Sequence, residues 1–174
     1  MKIVSHVIIS YNEYLDLFTK IIVQHEGPDQ AHLIFPLQPF LRVLRVLRGK
    51  KMKFEKLSNK VIGCAIEVHS CLGPGLLEST YEQCLAHELH INGIDFKKQH
   101  PLPVNYKGIC LDCGYKIDLL IENELVIELK SVAKLEGIHE AQLLTYMKLA
   151  NIRTGLLINF NVTRLKDGIK RFVL

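Results

Sequence analysis

Residues 52–174 of this chain predict a mixed α/β domain. Three observations carry that expectation. Two stretches with apolar residues at helical spacing come first. A series of strand-like runs with a tight hairpin follows, and then a further helical stretch leads into a short, wholly apolar strand. The chain has 174 residues, 48% hydrophobic and 23% charged. That suits one domain with an ordinary core and excludes a disordered class.

Residues 1–51 show less order. "HLIFPLQPFLRVLRVLRGKK" contains two prolines and then Arg42, Arg45 and Arg48 at three-residue spacing among aliphatics. On a helix these arginines would form one drifting basic stripe. The other reading is an extension without a folded role, preceding a natural beginning at Met52, so the expected division is 1–51 and 52–174. From there Ser58 can cap a helix running to about Leu72, with Val61, Ala65, Val68 and Leu72 on one face. Gly73-Pro74-Gly75 breaks it. A second helix, from about Leu76 to Asn92, carries Leu77, Tyr81, Leu85 and Leu89 at helical spacing and ends before Gly93, placed as a C′ glycine. Strand-like runs follow at 94–98, 102–107, 113–121 and 125–131. A third helix is expected over about 137–150, a buried strand over 154–160, and a last strand in "IKRFVL".

The formal net charge is +4. Seven Lys and Arg stand against four Asp and Glu in residues 1–51, and fifteen against fourteen in the remainder. Binding by the main domain must therefore rest on local patches and not on bulk charge. Five cysteines, Cys64, Cys71, Cys84, Cys110 and Cys113, are an odd number. With a beginning that reads poorly as a secretory signal, they point to reduced thiols in the cytoplasm. No apolar run reaches the roughly 18 residues a membrane span needs, so no membrane partner is expected.

The segment "IDLLIENELVIELK", residues 117–130, holds the chemistry. Its polar break near Asn123 predicts a hairpin. A register symmetric about Asn123 sets Lys116 opposite Lys130, Asp118 opposite Glu128, and Leu120 opposite Val126, all on one face. Ile117, Leu119, Ile121, Leu125, Ile127 and Leu129 share the other face and belong to the core. Two opposed carboxylates destabilise a sheet unless a cation lies between them. Oxygen ligands suit Mg²⁺ or Mn²⁺. Lys130, on the same face, would bring a positive charge beside the metal, to orient or deprotonate a water and to stabilise charge on a phosphate. The competing reading is a solvated edge with an unremarkable Glu–Lys contact.

Asp118 followed by Glu128-x-Lys130 across a hairpin resembles the PD-(D/E)xK nuclease superfamily. Gly75-x-x-Glu78-x-x-Tyr81 resembles the bacterial GxxExxY proteins within it. Gln142-x-x-x-Tyr146 is similar to the motif that follows the catalytic strands in the exonuclease-like branch. The resemblance covers about residues 54–174. It implies a restriction-endonuclease-like fold, a mixed sheet flanked by helices, and Mg²⁺-dependent hydrolysis of a nucleic-acid phosphodiester, DNA or RNA. It further implies that Asp118 and Glu128 are metal ligands, Glu78 is an additional acidic group at the metal, and Lys130 is the catalytic lysine. Gln142 and Tyr146 would contact substrate. Ile117, not proline, precedes Asp118.

Plainer readings stand beside these. Glu78 in the first turn of a helix complements its dipole, Tyr81 falls on a core face, and Gln142 with Tyr146 can be a packing pair. Cys110-x-x-Cys113 invites a zinc or iron–sulfur reading, but no second pair follows, so burial of both thiols is expected. His139 is expected at the surface or in packing. The sequence thus points to a cytoplasmic Mg²⁺-dependent nuclease. The alternative is a catalytically silent nucleic-acid-binding or protein-interaction domain of the same fold, with a cysteine-based metal module as a third reading.

Overall fold

The structure is a computed structural model that describes residues 37–174, with the side chain of Val46 and those from Phe54 onward. The sheet and its cores belong to the compact unit Arg42–Leu174. Helix α1 spans Leu37–Leu72 and runs unbroken through Met52. Ser58 is therefore not an N-cap. It is buried inside the helix, and its hydroxyl donates to the Glu55 carbonyl at 3.2 Å. The Arg42, Arg45 and Arg48 side chains lie outside the described residues.

Gly73 (φ +68°) closes α1 by donating its N–H to the His69 carbonyl at 2.8 Å, and Pro74 prevents continuation. Helix α2 spans Glu78–Ile91. It ends in a Schellman motif: Ile94 N–H reaches Leu89 O, and Gly93 (φ +64°) reaches His90 O. Helix α3 spans Gly137–Leu149 and starts with a capping box between Glu136 and His139. His139 Nδ1 accepts the Glu136 N–H at 3.0 Å, so that histidine serves the cap.

Among the described residues, seven strands complete the fold: β1 (Phe96–Pro101), β2 (Val104–Tyr106), β3 (Ile109–Leu111), β4 (Lys116–Ile121), β5 (Leu125–Lys130), β6 (Thr154–Asn159) and β7 (Ile169–Val173). The main sheet has the order β1-β4-β5-β6-β7. Its β5–β6 pair is parallel and its other pairs are antiparallel. A parallel neighbour requires a crossover, and α3 provides it. β2 and β3 form a separate two-stranded ribbon. The separate strand β3 was not anticipated from the sequence, although Lys107 and Gly108, both at positive φ, make the tight turn that joins it to β2.

Both faces of the sheet are covered. Leu57, Val61, Ala65 and Val68 of α1 and Tyr81, Leu85 and Leu89 of α2 pack with Leu119, Ile121, Leu125, Ile127 and Leu129. On the opposite face, Leu143, Tyr146 and Met147 of α3 pack with Ile117, Leu120, Val126 and Leu157. α3 approaches β6 so closely that a Cβ on Gly155 would lie 2.6 Å from Met147 Sδ. The mixed sheet between helical layers is the α/β, restriction-endonuclease-like architecture expected.

This two-sided burial corrects the single core face read from the alternation. β5 is the middle strand and all six of its residues are buried, including Glu128 and Lys130. A solvated edge is therefore ruled out for them. Ile117 packs with Leu120 and Val126, not with Leu119, so the alternation breaks across Asp118.

Candidate active site

The hairpin register is the symmetric one. Leu119 pairs with Ile127, Leu120 with Val126 and Ile121 with Leu125, around a turn in which Glu122 and Asn123 take φ of +49° and +54°. The ladder then stops short of Asp118 and Glu128. Asp118 Oδ2 instead accepts the Leu129 N–H at 2.8 Å, so a carboxylate replaces a backbone acceptor at this step. The β1–β4 ladder also skips the Gln99–Asp118 position, and Gln99 stands at φ +50°. β4 is thus distorted on both sides of Asp118. A left-handed non-glycine residue inside a strand is a strained feature of the kind found at functional sites.

Glu128 and Lys130 project from the same strand. Lys130 Nζ donates to Glu128 Oε1 at 2.6 Å, while Glu128 Oε2 is buried without a hydrogen-bond partner. A carboxylate that is 2% exposed and half unsatisfied is costly to keep charged. Burial, reinforced by the charge of Asp118, raises Glu128 from its ordinary 4.5 to about 7, against the pull of Lys130. Burial likewise raises Asp118, although the Leu129 N–H and Lys130 oppose the shift. Burial works against the charged form of Lys130. The hydrogen bond and charge of Glu128, with Glu78 and Asp118 behind them, outweigh it, and the amine lies above its ordinary value.

Glu78 reaches the same region from α2. Its Oε1 accepts the Ser131 N–H at 3.2 Å, and Ser131 Oγ donates to the Leu76 carbonyl at 2.6 Å. Ser131 follows Lys130 directly, so these bonds tie the start of α2 to the end of β5. Tyr81 sets the loop behind it: fully buried and stacked on Phe160 at 4.3 Å, it donates to Gly73 O at 2.6 Å and accepts from Leu76 N. Gly75, at φ +99°, completes the turn. Gly75, Glu78 and Tyr81 thereby act as one device that presents a carboxylate at the end of β5. An open cleft of about 370 Å³ lies there, lined by Leu76, Leu77, Glu78, Ser79 and Ser131.

Four further residues escaped the sequence reading. Gln99 Nε2 donates to Asp118 Oδ1 at 3.4 Å and also to Glu82 Oε2. Buried Asn159 clamps the backbone beyond Lys130, accepting the Val132 N–H at 3.0 Å and donating to the Val132 carbonyl at 2.8 Å. With Ser131, just beyond β5, and Glu82 of α2 they surround the hairpin end from distant parts of the chain, and no local pattern links them. Gln142 and Tyr146 lie on the helix that covers the Val126 face. Gln142 Nε2 donates to Tyr146 Oη at 3.1 Å, and the Tyr146 ring is buried.

The carboxylates fit a hard divalent cation in chemistry, since Mg²⁺ needs only one or two protein carboxylates and completes its shell with water. The unpartnered Glu128 Oε2 is a donor atom awaiting such a partner. Among the described residues, however, no group of three or more His, Cys, Asp or Glu side chains is gathered closely enough to hold a metal. Asp118, Glu128 and Glu78 are each held by a protein donor instead. The expected burial of Cys110 and Cys113 is also corrected: both are exposed, because the ribbon that carries them is not covered by the sheet or its helices.

A five-stranded mixed sheet flanked by helices on both faces is the restriction-endonuclease-like class of fold. Residues 55–172 match the PD-(D/E)XK nuclease superfamily, and the chain belongs to that superfamily. No curated protein matches the chain, and no solved structure matches it. Among the described residues, no helix is long and apolar enough to cross a membrane.

Proposed function

We propose that this protein hydrolyses nucleic-acid phosphodiester bonds with Mg²⁺ or Mn²⁺, and that Asp118 and Glu128 hold the ion with Glu78 beside it. The observation that carries the reading is the buried, unpartnered Glu128 Oε2 next to Asp118. A protein gains nothing in stability from that arrangement, whereas a cation would relieve both the repulsion and the unmade bond. Superfamily membership supports the same reaction class.

A bound divalent ion supplies polarisation of the phosphate and a more acidic water. The chain's own residues do the remainder. Asp118, fixed by the Leu129 N–H and Gln99, keeps its carboxylate in place. Lys130 lies above its ordinary value and stays protonated, so it is a poor base. Its role is to stabilise negative charge developing on the phosphate oxygens. Ser131 and Tyr81 position Glu78. Gln142 and Tyr146 would contact the substrate strand from α3. We assign the chain to the GxxExxY branch on Gly75, Glu78 and Tyr81, and to the cytoplasm on its odd count of five cysteines.

A silent binding or interaction domain is the second reading. The Lys130–Glu128 pair favours it, because it half-neutralises the site without a metal. Incubation of the full chain with single- and double-stranded DNA and RNA, with Mg²⁺, Mn²⁺ or chelator, separates the two. Metal-dependent cleavage that Asp118→Asn and Lys130→Ala both abolish supports the nuclease. Binding without cleavage under every condition overturns it in favour of the silent domain.

A further inference from the structure

The Tyr146 ring has little face left for a ligand. It is 8% exposed, its hydroxyl accepts from Gln142 Nε2, and a second tyrosine, Tyr115, tilts against it with ring centroids 6.1 Å apart and planes at 53°. Tilted rings at that separation pack favourably. Tyr115 is the outer member of the pair and is 47% exposed. Of the two rings, Tyr115 is the open one.

Backbone bonds fix where Tyr115 stands. Its carbonyl accepts the Leu102 N–H at 2.8 Å. Gly114 before it turns at φ +71°, and the Gly114 N–H donates to Asp112 Oδ1 at 3.0 Å. β4 opens at the next residue, and Asp118 follows Tyr115 by three residues, about 10 Å of extended chain. A ring braced from behind and open in front loses little freedom when a flat ligand settles on it. The other exposed tyrosine of this region, Tyr106, already carries the Lys107 ammonium 5.3 Å from its centroid.

The chain leading to Tyr115 is also basic. Lys97, Lys98, Lys107 and Lys116 stand against Asp112 alone over residues 96–116. The rest of residues 52–174 holds eleven Lys and Arg against thirteen Asp and Glu. The β1 edge of the domain and its ribbon therefore have a positive field of their own, of the sign that draws a phosphate chain.

We propose that Tyr115 is a stacking platform for an unpaired base, and that the substrate is single-stranded nucleic acid. The inference rests on the nuclease reading for the path of that strand past Asp118. Inside a duplex each base is paired and covered by its neighbours, so its face is closed to a side chain. In a single strand the face is open, and an aromatic ring accepts any base because every base has a π-face. Tyr146 stiffens the platform from behind, and Gln142 holds Tyr146 through its hydroxyl. The ring supplies contact with the base, and the local positive charge supplies attraction for the phosphates.

The sequence contains no tryptophan, so Tyr115→Trp places a single fluorescent reporter at the platform. The full chain carrying it is titrated with a short oligodeoxythymidine, with Ca²⁺ in place of Mg²⁺ to hold cleavage back. The expected result is saturable quenching by this strand, with much weaker binding of a blunt hairpin duplex and of an abasic strand of equal charge. In competition assays with the unaltered reporter, Tyr115→Phe should bind oligodeoxythymidine like the parent. Tyr115→Leu, which keeps an apolar cover over Tyr146, should bind it about 5- to 150-fold more weakly, with circular dichroism unchanged. Equal affinity for the abasic and base-bearing strands, equal affinity for the duplex, or a Leu variant that binds like the parent would each overturn the proposal. The abasic comparison needs no further variant, so a Leu variant that misfolds does not protect the idea. Binding that depends on Tyr115 without cleavage in Mg²⁺ or Mn²⁺ upholds the platform and sinks the nuclease reading. Metal-dependent cleavage of duplex and single strand alike, unaffected by Tyr115→Leu, does the reverse.

Discussion

Asp118 Oδ2 accepts the backbone N–H of Leu129 at 2.8 Å, doing with a side chain what a carbonyl would do in an uninterrupted ladder. The bond holds Asp118 next to Glu128 although the β4–β5 pairing has ended at Leu119 and Ile127. Asp118→Asn retains an acceptor for that N–H and removes a charge that raises Glu128. It should therefore leave the metal-free melting temperature unchanged or higher, while removing cleavage and most metal-dependent stabilisation. Asp118→Ala, which leaves the N–H without that acceptor, should cost about 1–3 kcal/mol. Thermal melts of the three proteins with and without Mn²⁺ decide it. A metal-free Asn variant as unstable as the Ala variant refutes this account of the bond.

The pH dependence follows from Glu128. Its folded pKa is about 7 against an ordinary 4.5, so between those values the native state binds more protons than the unfolded one. Stability of the metal-free protein should then fall as pH rises from about 4.5 through 7. The upward shift of Asp118 acts in the same direction. Because a cation competes with that proton, Mn²⁺ should raise the melting temperature more at pH 8 than at pH 6. Glu128→Gln should flatten both trends. Equal metal-induced shifts at the two pH values would count against Glu128 as a ligand.

Lys130 is expected to divide chemistry from metal binding. Lys130→Ala should reduce cleavage by about 10²-fold or more. It strands Glu128, so the metal-free protein should lose roughly 3–5 kcal/mol at pH 8, and saturating Mn²⁺ should return part of it. Denaturant titrations alongside a cleavage assay measure both. Loss of metal-dependent stabilisation in this variant would make Lys130 part of the binding site itself.

Tyr81→Phe removes one hydroxyl and keeps the stack on Phe160. Gly73 O and Leu76 N lose their partner, at a cost of about 1 kcal/mol. If the loop positions Glu78, cleavage should fall about tenfold while substrate affinity holds. A variant with the stability loss and full activity would reduce Tyr81 to a packing role.

A chain beginning at Met52 should melt within about 4 °C of the full one, a difference under about 1 kcal/mol. Among the described residues, the buried apolar positions of α1, Leu57, Val61, Cys64, Ala65 and Val68, all follow Met52. A larger drop, or insolubility, would give residues 1–51 a structural role.

The elements legible in the sequence were those with a period of their own. The symmetric register about Asn123, the span of α2 to its Gly93 cap, α3 and the apolar strand β6 all follow from residues within a few positions of one another. Asp118, Glu128 and Lys130 were legible for the same reason, since a tight hairpin joins them. The start of α1 was not: Ser58 is as good a cap by type as any, yet the helix already covers it.

The sequence by itself determined the hairpin, its register and the identity of the charged groups it brings together, because alternation and turn chemistry are local. Only the tertiary structure decided that α3 closes the second face and so buries Glu128 and Lys130, turning surface charges into a carboxylate near pH 7 and a firmly protonated amine. It decided that Gln99 and Asp118 interrupt their ladders together, and that Ser131 meets Glu78, 53 residues away in the chain. It also left Cys110 and Cys113 in the open. Burial depends on which elements stack against which, and side-chain periodicity carries no record of a partner that lies far along the chain.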